Sequence, residues 1–597
     1  LPACLIILVL SSCEKKQTGG DYPIKPVPFT EVKLTDDFWA PRIKKNATVT
    51  IPIAFSYCES TGRVKNFEIA GGLDTGRFVG SYPFDDSDVF KIIEGASYSL
   101  QTFPDPQLER YLDTLIYKIG MAQEDDGYLY TNRTIAEMHG GKGLHPWASP
   151  VRWELDSILS HELYNLGHLY EAAAAHFQAT GKRTLLDIAL KSADLVNKDF
   201  GWDRVRVYPG HQVIEMGLVK LYRVTGERKY LDLAKFFLDI RENGSQYNQA
   251  HKKVTEQDEA VGHSVRATYM YSGMADIAAI ENDESYLNAI TKIWEDITFR
   301  KVYITGGIGA TGGNEGFAEP YNLPNMSAYC ETCASIGDIF LNHRLFLLHG
   351  EAKYIDILEK TLYNSALSGV SLSADRFFYP NPLESEGQHQ RQAWFGCACC
   401  PSNVARFVPA IPGYIYAVDG KDIYINLYMS NESELTTADG KVRIIQEAGF
   451  PWEGDVELSV FPEKSGKFIL KTRIPGWALN EAIPGDLYKF IDKDTTAFTI
   501  KVNGEQADYE VINGYAFIER RWEKGDKIEL QFPMNIRKII ADERVKADDG
   551  KMAIQRGPVI YCAEWPDNPG GRILNLLVNK DAEMTSFFAD SLLGGIE

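Results

Sequence analysis

The chain predicts a multidomain protein of α plus all-β class, with a ring of helical hairpins followed by antiparallel β-sandwich domains. Three observations lead there. At 597 residues the chain is well beyond the size at which a single hydrophobic core stops growing. From about 90 to 370, apolar residues recur at helical spacing. After about 420 the pattern changes to period two.

Taken from the N-terminus, residues 4 to 10 read CLIILVL, followed by Ser11, Ser12, Cys13 and the polar run EKKQTGG. A short apolar stretch ending in small residues is an export-signal pattern, too short to span a bilayer as a mature helix. Leu10-Ser11-Ser12-Cys13 resembles a bacterial lipobox, which implies lipidation at Cys13, attachment to a membrane through that lipid and a place in the bacterial cell envelope, periplasmic or on the outer-membrane surface. The alternative is an ordinary cleaved signal with a chance cysteine. No basic residue precedes the apolar stretch, so the N-terminus is expected to be incomplete.

In the helical part a local pattern returns. Tyr111-Leu112-Asp113, Leu185-Leu186-Asp187, Tyr230-Leu231-Asp232, Tyr286-Leu287-Asn288 and Tyr354-Ile355-Asp356 each open a helix after a polar turn. Thr180-Gly181 and Thr225-Gly226 end one helix and start a tight link to the next, because glycine takes the left-handed position without a Cβ penalty. Helix pairs of this kind must stack on neighbours to bury their apolar faces, and their irregular spacing favours a closed ring with functional loops over a uniform solenoid. In the strand part, Ile423–Leu427, Val456–Val460, Phe468–Leu470 and Ala497–Val502 alternate, the last closed by Asn503-Gly504, as antiparallel sandwich strands do.

Charge narrows the partners. Lys and Arg total 62 against 82 Asp and Glu, a formal charge of −20, which repels polyanions and excludes nucleic acid as a partner. All eleven histidines fall between 139 and 389, so the chemistry belongs to the helical part. Five of nine cysteines lie between 330 and 400, which is no disulfide framework for a large exported chain. A bound metal would hold such thiols as thiolates. Spacing alone reads as two CxxC pairs, Cys330 with Cys333 and Cys397 with Cys400, around a closed structural zinc. Glu331 and Cys399 are equally zinc-competent, which leaves the ligand set open.

The sequence holds three further motifs. Gly307, Gly309 and Gly312 form a literal GxGxxG, but NEGFAEPYNLPN follows instead of a helix, so no nucleotide cofactor is expected; the flexible backbone could instead present Glu315 in a pocket. His161 and His168 lie seven apart on one helix, with His211 and His263 at helix starts, and together they suggest a polar pocket. Asp85-Asp86-Ser87-Asp88 lacks the glycine and distal glutamate of a calcium loop and reads as a capping turn.

Glu331-Thr-Cys-Ala-Ser335, Trp394-Phe-Gly-Cys-Ala-Cys-Cys-Pro401, Pro209-Gly-His-Gln and Asp86-Ser-Asp-Val89 resemble glycoside hydrolase family 127, the DUF1680 proteins, from about residue 30 onward. The resemblance implies an (α/α)6 barrel followed by β-sandwiches and a retaining β-L-arabinofuranosidase acting on arabinose-containing glycans. It also implies zinc on Glu331, Cys333, Cys399 and Cys400, with Cys399 as nucleophile and Glu315 as general acid/base. His161, His211, Glu359 and Tyr379 match sugar-binding positions, and His263 lines the same pocket. Cys330 becomes a bystander and Cys397 a neighbour. The resulting division is signal and tether at 1–28, catalytic barrel at 29–420, sandwich at 421–535 and the start of an incomplete second sandwich at 536–597. The rival reading is a catalytically silent carbohydrate-binding lipoprotein with a structural zinc.

Overall fold

Helical hairpins dominate the first two-thirds of the computed structural model, which describes residues 20–568, 570 and 572–590. The export signal and Cys13 lie outside these residues. Among the described residues, α1 (Ile51–Ser60), α2 (Asp86–Thr102), α3 (Pro106–Ala122), α4 (Glu162–Thr180), α5 (Thr184–Asp199), α6 (Ile214–Thr225), α7 (Arg228–Asp239), α8 (Ser264–Glu281), α9 (Glu284–Arg300), α10 (Thr332–His349), α11 (Ala352–Thr361) and α12 (Cys399–Phe407) make up the barrel. The even-numbered helices touch in the order α2, α4, α6, α8, α10 and α12, and α12 returns to α2, so the inner ring closes. The odd-numbered helices pack outside it. α1 covers α2 and α12, so the chain's first long helix completes the hairpin whose inner member comes last.

Local chemistry accounts for the boundaries. Gly181 (φ 71°) and Gly226 (φ 75°) end α4 and α6 in the left-handed conformation, where the Thr-Gly pairs placed them. The Leu185, Tyr230, Tyr286 and Tyr354 repeats fall in the first turns of outer helices; Tyr111 lies a turn further in, because Asp105 caps α3 by accepting from the Gln107 and Leu108 amides. The inner helices are buried nearly all round, so their crossings need small residues. A Cβ on Gly95 of α2 would stand 2.3 Å from the Ala405 carbonyl of α12, and one on Gly167 of α4 would stand 2.5 Å from Val213.

The strands form three sheets. In the six-stranded one, Gly466–Arg473 runs antiparallel to Tyr515–Trp522, with Gly466 opposite Trp522, and parallel to Asp422–Ile425. The seven-stranded sheet holds Asp455–Pro462 and Thr499–Val502, the latter turning at Asn503 and Gly504 as predicted. The third sheet joins Arg537–Ala541, Ala553–Arg556 and Val559–Tyr561 to Tyr488–Phe490. One difference from the sequence division stands out. Lys25–Pro26 pairs with Tyr416–Asp419, and Val32–Leu34 pairs with Asn431–Thr437. Residues assigned to a tether and to the barrel therefore supply edge strands to the sandwich, where their unpaired backbone groups find partners.

Asp156 and Glu162 secure the start of α4. The Asp156 carboxylate accepts from the Leu163 amide at 2.8 Å, and burial, followed by the charge of Glu162, pushes its pKa up to about 8. The folded protein thus holds a proton that the unfolded chain releases near pH 4, and this contribution to stability fades as pH rises toward 8. Asp156→Asn keeps an acceptor but does not titrate. Its melting temperature relative to the parent is expected to rise between pH 5 and pH 8; a constant difference would contradict the assignment.

Candidate active site and metal centre

Two inner helices begin at the same place. Glu331 immediately precedes α10 and Cys333 lies in its first turn, while Cys399 and Cys400 are the first residues of α12. Helix N-termini present unpaired N–H groups and the positive end of the backbone dipole, which favour thiolates and carboxylates. Cys333 Sγ is 3.3 Å from Cys400 Sγ, and Glu331 Oε1 is 3.4 Å from Cys400 Sγ and 3.6 Å from Cys399 Sγ. The two adjacent sulfurs of Cys399 and Cys400 are 4.0 Å apart. One donor atom from each of the four lies within 4.8 Å of every other. A tetrahedron with metal–sulfur bonds of about 2.3 Å has edges of about 3.8 Å, so the donor set fits a four-coordinate divalent metal. Glu331 Oε2 is buried without a partner. Burial, followed by the charges of Cys399 and Glu315, drives the Glu331 carboxyl well above its ordinary range. Four such donors need a cation to share the cavity as anions.

This geometry corrects the paired CxxC reading. Cys330 is 1% exposed and takes a left-handed φ of 39°. A Cβ on Gly307 would sit 3.1 Å from its sulfur, so Cys330 packs against the glycine loop. Because the helix starts only at Thr332, Glu331 and Cys333 face the cluster instead. Cys397 is half-buried beside Cys399, and its thiol is pushed well up by a hydrogen bond with Cys399 and by burial.

The glycine loop serves Glu315. The Ser264 amide and hydroxyl donate to the Glu315 carbonyl at 3.1 and 3.0 Å, holding residue 315 at φ 51°. A Cβ on Gly316 would come within 1.8 Å of the Gly262 carbonyl, so only glycine fits there. One oxygen of Glu315 lies within 4.8 Å of Glu331 and of His263. His263 Nδ1 accepts from the Val265 amide at 3.2 Å, which leaves the proton on Nε2, 3.0 Å from Glu315 Oε2. Burial pushes the Glu315 carboxyl up, but donation from His263 and Tyr329 outweighs it and holds the pKa below its ordinary value.

A histidine wall closes the cavity. His161, His211 and His263 stand in a row with ring centroids 5.7 and 5.6 Å apart, and Tyr164 packs 4.3 Å from His211. Burial first, and the Arg266 charge next, keep His161 and His211 neutral. The seven-residue spacing did not place His161 on the helix: it precedes α4 in the left-handed conformation (φ 56°), while His168 is buried within it. Arg266, which sequence reasoning missed, only donates. Its Nη2 lies 3.4 Å from His161 Nε2, so His161 carries its proton on Nδ1, which is buried without a partner and free to donate. The Tyr379 hydroxyl is 3.0 Å from Cys399 Sγ.

Glu359 does not join them. It is 2% exposed on outer helix α11, bonded to Arg473 and, at 3.1 Å, to the Trp477 indole of the strand region. The adjoining cavity of about 10 Å³ holds no more than a water. Its charge anchors barrel to sandwich; the sugar-binding expectation is corrected.

Supporting charges hold α12 in place. Asp88 pairs with Arg63 at 2.9 Å and accepts from Ser402 at 3.1 Å, and Asp86 accepts from Thr131; Asp86–Asp88 are thus the first turn of α2, docked by its carboxylates, and Asp85 before it makes no side-chain cap, which corrects the capping-turn expectation. Arg406 bridges Glu94 (2.9 Å) and Glu171 (2.5 Å). Lys91 is 1% exposed; its Nζ lies 3.7 Å from Asp88 Oδ1, and against the cost of burial the charge of Asp88 first, then those of Cys399 and Cys333, favour its charged form. Neither Lys91 nor Arg266 stands out in the sequence, since a lone cation in a helix reads as surface.

Comparison with known proteins agrees with this architecture. Residues 31–413 match the profile described as "Beta-L-arabinofuranosidase, GH127 catalytic domain", residues 422–534 the GH127 middle domain, and residues 536–589 the glycoside hydrolase family 127 C-terminal domain. A non-reducing end β-L-arabinofuranosidase of Bifidobacterium longum subsp. longum is 34% identical over 584 residues, covering 89% of this chain and 84% of the relative. A solved GH127 β-arabinofuranosidase is 52% identical with a TM-score of 0.93, over 96% of this chain and 91% of that one. The GH127 β-L-arabinofuranosidase of Geobacillus stearothermophilus T6 is 39% identical with a TM-score of 0.87, over 95% and 91%. With family models matched across the catalytic, middle and C-terminal regions and relatives 34 to 52% identical over most of their length, the chain belongs to glycoside hydrolase family 127 and is a glycoside hydrolase.

Proposed function

We propose that the protein is a retaining exo-acting β-L-arabinofuranosidase that releases arabinose from plant-type glycans, with Cys399 as its nucleophile in a zinc-binding cluster. The observation that carries this reading is a thiol at a helix N-terminus, in a four-donor group, with a carboxyl group, Glu315, within 4.8 Å of the shared ligand Glu331. Among common divalent ions, zinc best suits three sulfurs and one oxygen in a tetrahedron. Bound there, zinc would supply the positive charge that keeps Cys399 ionised at neutral pH.

Retention needs two displacements at the anomeric carbon. Cys399 Sγ attacks that carbon, the glycosidic C–O bond breaks, and Glu315 gives its proton to the departing oxygen. Glu315, now a carboxylate, takes a proton from water as the water oxygen attacks the same carbon. The C–S bond breaks, and the sulfur leaves as a thiolate with the bonding pair. His211 Nδ1–H donates to the Gln212 carbonyl at 3.0 Å, which leaves its Nε2 as an acceptor, so His161 Nδ1–H and His211 Nε2 offer one donor and one acceptor to sugar hydroxyls. Tyr379, 3.0 Å from the sulfur, fixes its direction.

Held ionised in the free enzyme, Glu315 is ready for the second step, whereas the first needs it protonated. The alkaline limb of the kcat/KM profile should therefore report Glu315 losing its proton. His263→Asn keeps a helix-capping oxygen but removes the donor to Glu315; the Glu315 pKa rises and the alkaline limb moves to higher pH, while an unmoved or lowered limb would contradict the pairing. Glu315→Gln is expected to lose on the order of 100- to 10,000-fold in kcat on a glycan fragment and to keep its metal content by elemental analysis. Cys399→Ser should lose activity to a similar degree. Chelation should abolish release of L-arabinose, and zinc should restore it; full turnover in metal-stripped protein would refute the zinc assignment.

A further inference from the structure

Beside the histidine wall, three aromatic rings continue outward from the site. Phe84 packs against His161 with centroids 4.6 Å apart. It stacks with Tyr82 at 5.3 Å and 24°, and with Trp147 at 6.4 Å and 19°. Tyr82 and Trp147 meet at 5.3 Å. All three rings are half-buried, unlike core aromatics such as Tyr170 and Trp294, which are at most 2% exposed.

The segments that carry them are fixed. The Trp147 amide donates to His145 Nδ1 at 3.1 Å, the His145 amide to Asn132 at 3.2 Å, and the Ser81 amide to Asp85 at 3.1 Å. Tyr82 approaches the loop leading to Cys399: a Cβ on Gly396 would sit 4.0 Å from its ring.

We propose that Tyr82, Phe84 and Trp147 form a second sugar subsite, which takes the ring on the leaving-group side of the scissile bond flat against Tyr82 or Trp147. This rests on the glycosidase reading above. The non-reducing sugar faces a wall of buried histidines, His161 and His263 being 3% and 5% exposed, so the leaving group must project toward the open side. There the part-exposed rings of Tyr82 and Trp147 carry negative quadrupole density on their faces, which receives the slightly positive C–H groups of a sugar. Three rings continuous with the reaction centre match one monosaccharide and are far smaller than a protein interface.

The test compares a disaccharide ending in L-arabinofuranose with methyl β-L-arabinofuranoside, which has no second ring. For Trp147→Ala and Tyr82→Ala, the ratio of kcat/KM on disaccharide to that on methyl glycoside should fall about tenfold, equivalent to about 1.4 kcal/mol. Tyr82→Phe and Trp147→Phe should recover most of it. A ratio unchanged in the alanine variants, with both substrates falling together or not at all, overturns the subsite. Calorimetric binding of both ligands to Glu315→Gln separates this from the parent reading. If the parent enzyme cleaves neither substrate, the activity assignment fails. The subsite then stands only if Trp147→Ala weakens disaccharide binding about tenfold more than methyl glycoside binding, and it falls if the two change alike.

Discussion

The structure depends on the convergence of two helix N-termini on one anionic cluster. Three thiols and a carboxylate crowded within 4.8 Å repel one another and pay heavily for leaving water. A divalent ion bound there would resolve both problems, and the two helix dipoles already favour negative charge at this place. The barrel can hold such a cluster because its inner helices are locked by glycine-tight crossings and by the buried Arg406–Glu94–Glu171 network. Loosening α12 would move Cys399 and Cys400 together, so the frame and the chemistry are not separable.

Around that fixed point, the fold divides the work among side chains by what each can donate. Arg266 forces His161 into one tautomer, and the start of α8 forces His263 into another. One histidine is thereby left with a free N–H, while the other spends its proton on Glu315. The same imidazole thus serves opposite purposes, decided by the backbone and guanidinium donors that meet its other nitrogen. The strand domains hold the barrel through anchors such as Arg473 and Trp477 on Glu359, and they brace its loops through Asp548 on Asn325 and Trp565 on Ser385.

Much of this was legible in the sequence. Thr-Gly pairs and repeated Tyr-Leu-Asp openings place outer helices because capping and left-handed glycines are local rules, and Asn503-Gly504 marks a hairpin for the same reason. The donor set was not legible from spacing: CxxC counts residues, whereas a helix starting at Thr332 decides which of them turn inward. The family resemblance supplied Glu331 and Cys399, which the distances then bring together. It carried Glu359 too far, because an acidic residue on an outer helix looks the same in sequence whether it meets a sugar or an arginine. Arg266, Tyr329 and Lys91 escaped notice since their roles depend on neighbours 14 to more than 300 residues away, from Tyr329 beside Glu315 to Lys91 beside Cys399.

The claim on which the account rests is that sulfur, and one sulfur in particular, bonds to the sugar. Incubating the metal-loaded protein with an electrophilic L-arabinofuranose mimic that reacts irreversibly at its anomeric carbon, followed by digestion and peptide mass spectrometry, reads this directly. A single adduct on Cys399 is the predicted result. An adduct on Glu315, Glu331 or any other cysteine, with Cys399 unmodified, would contradict it.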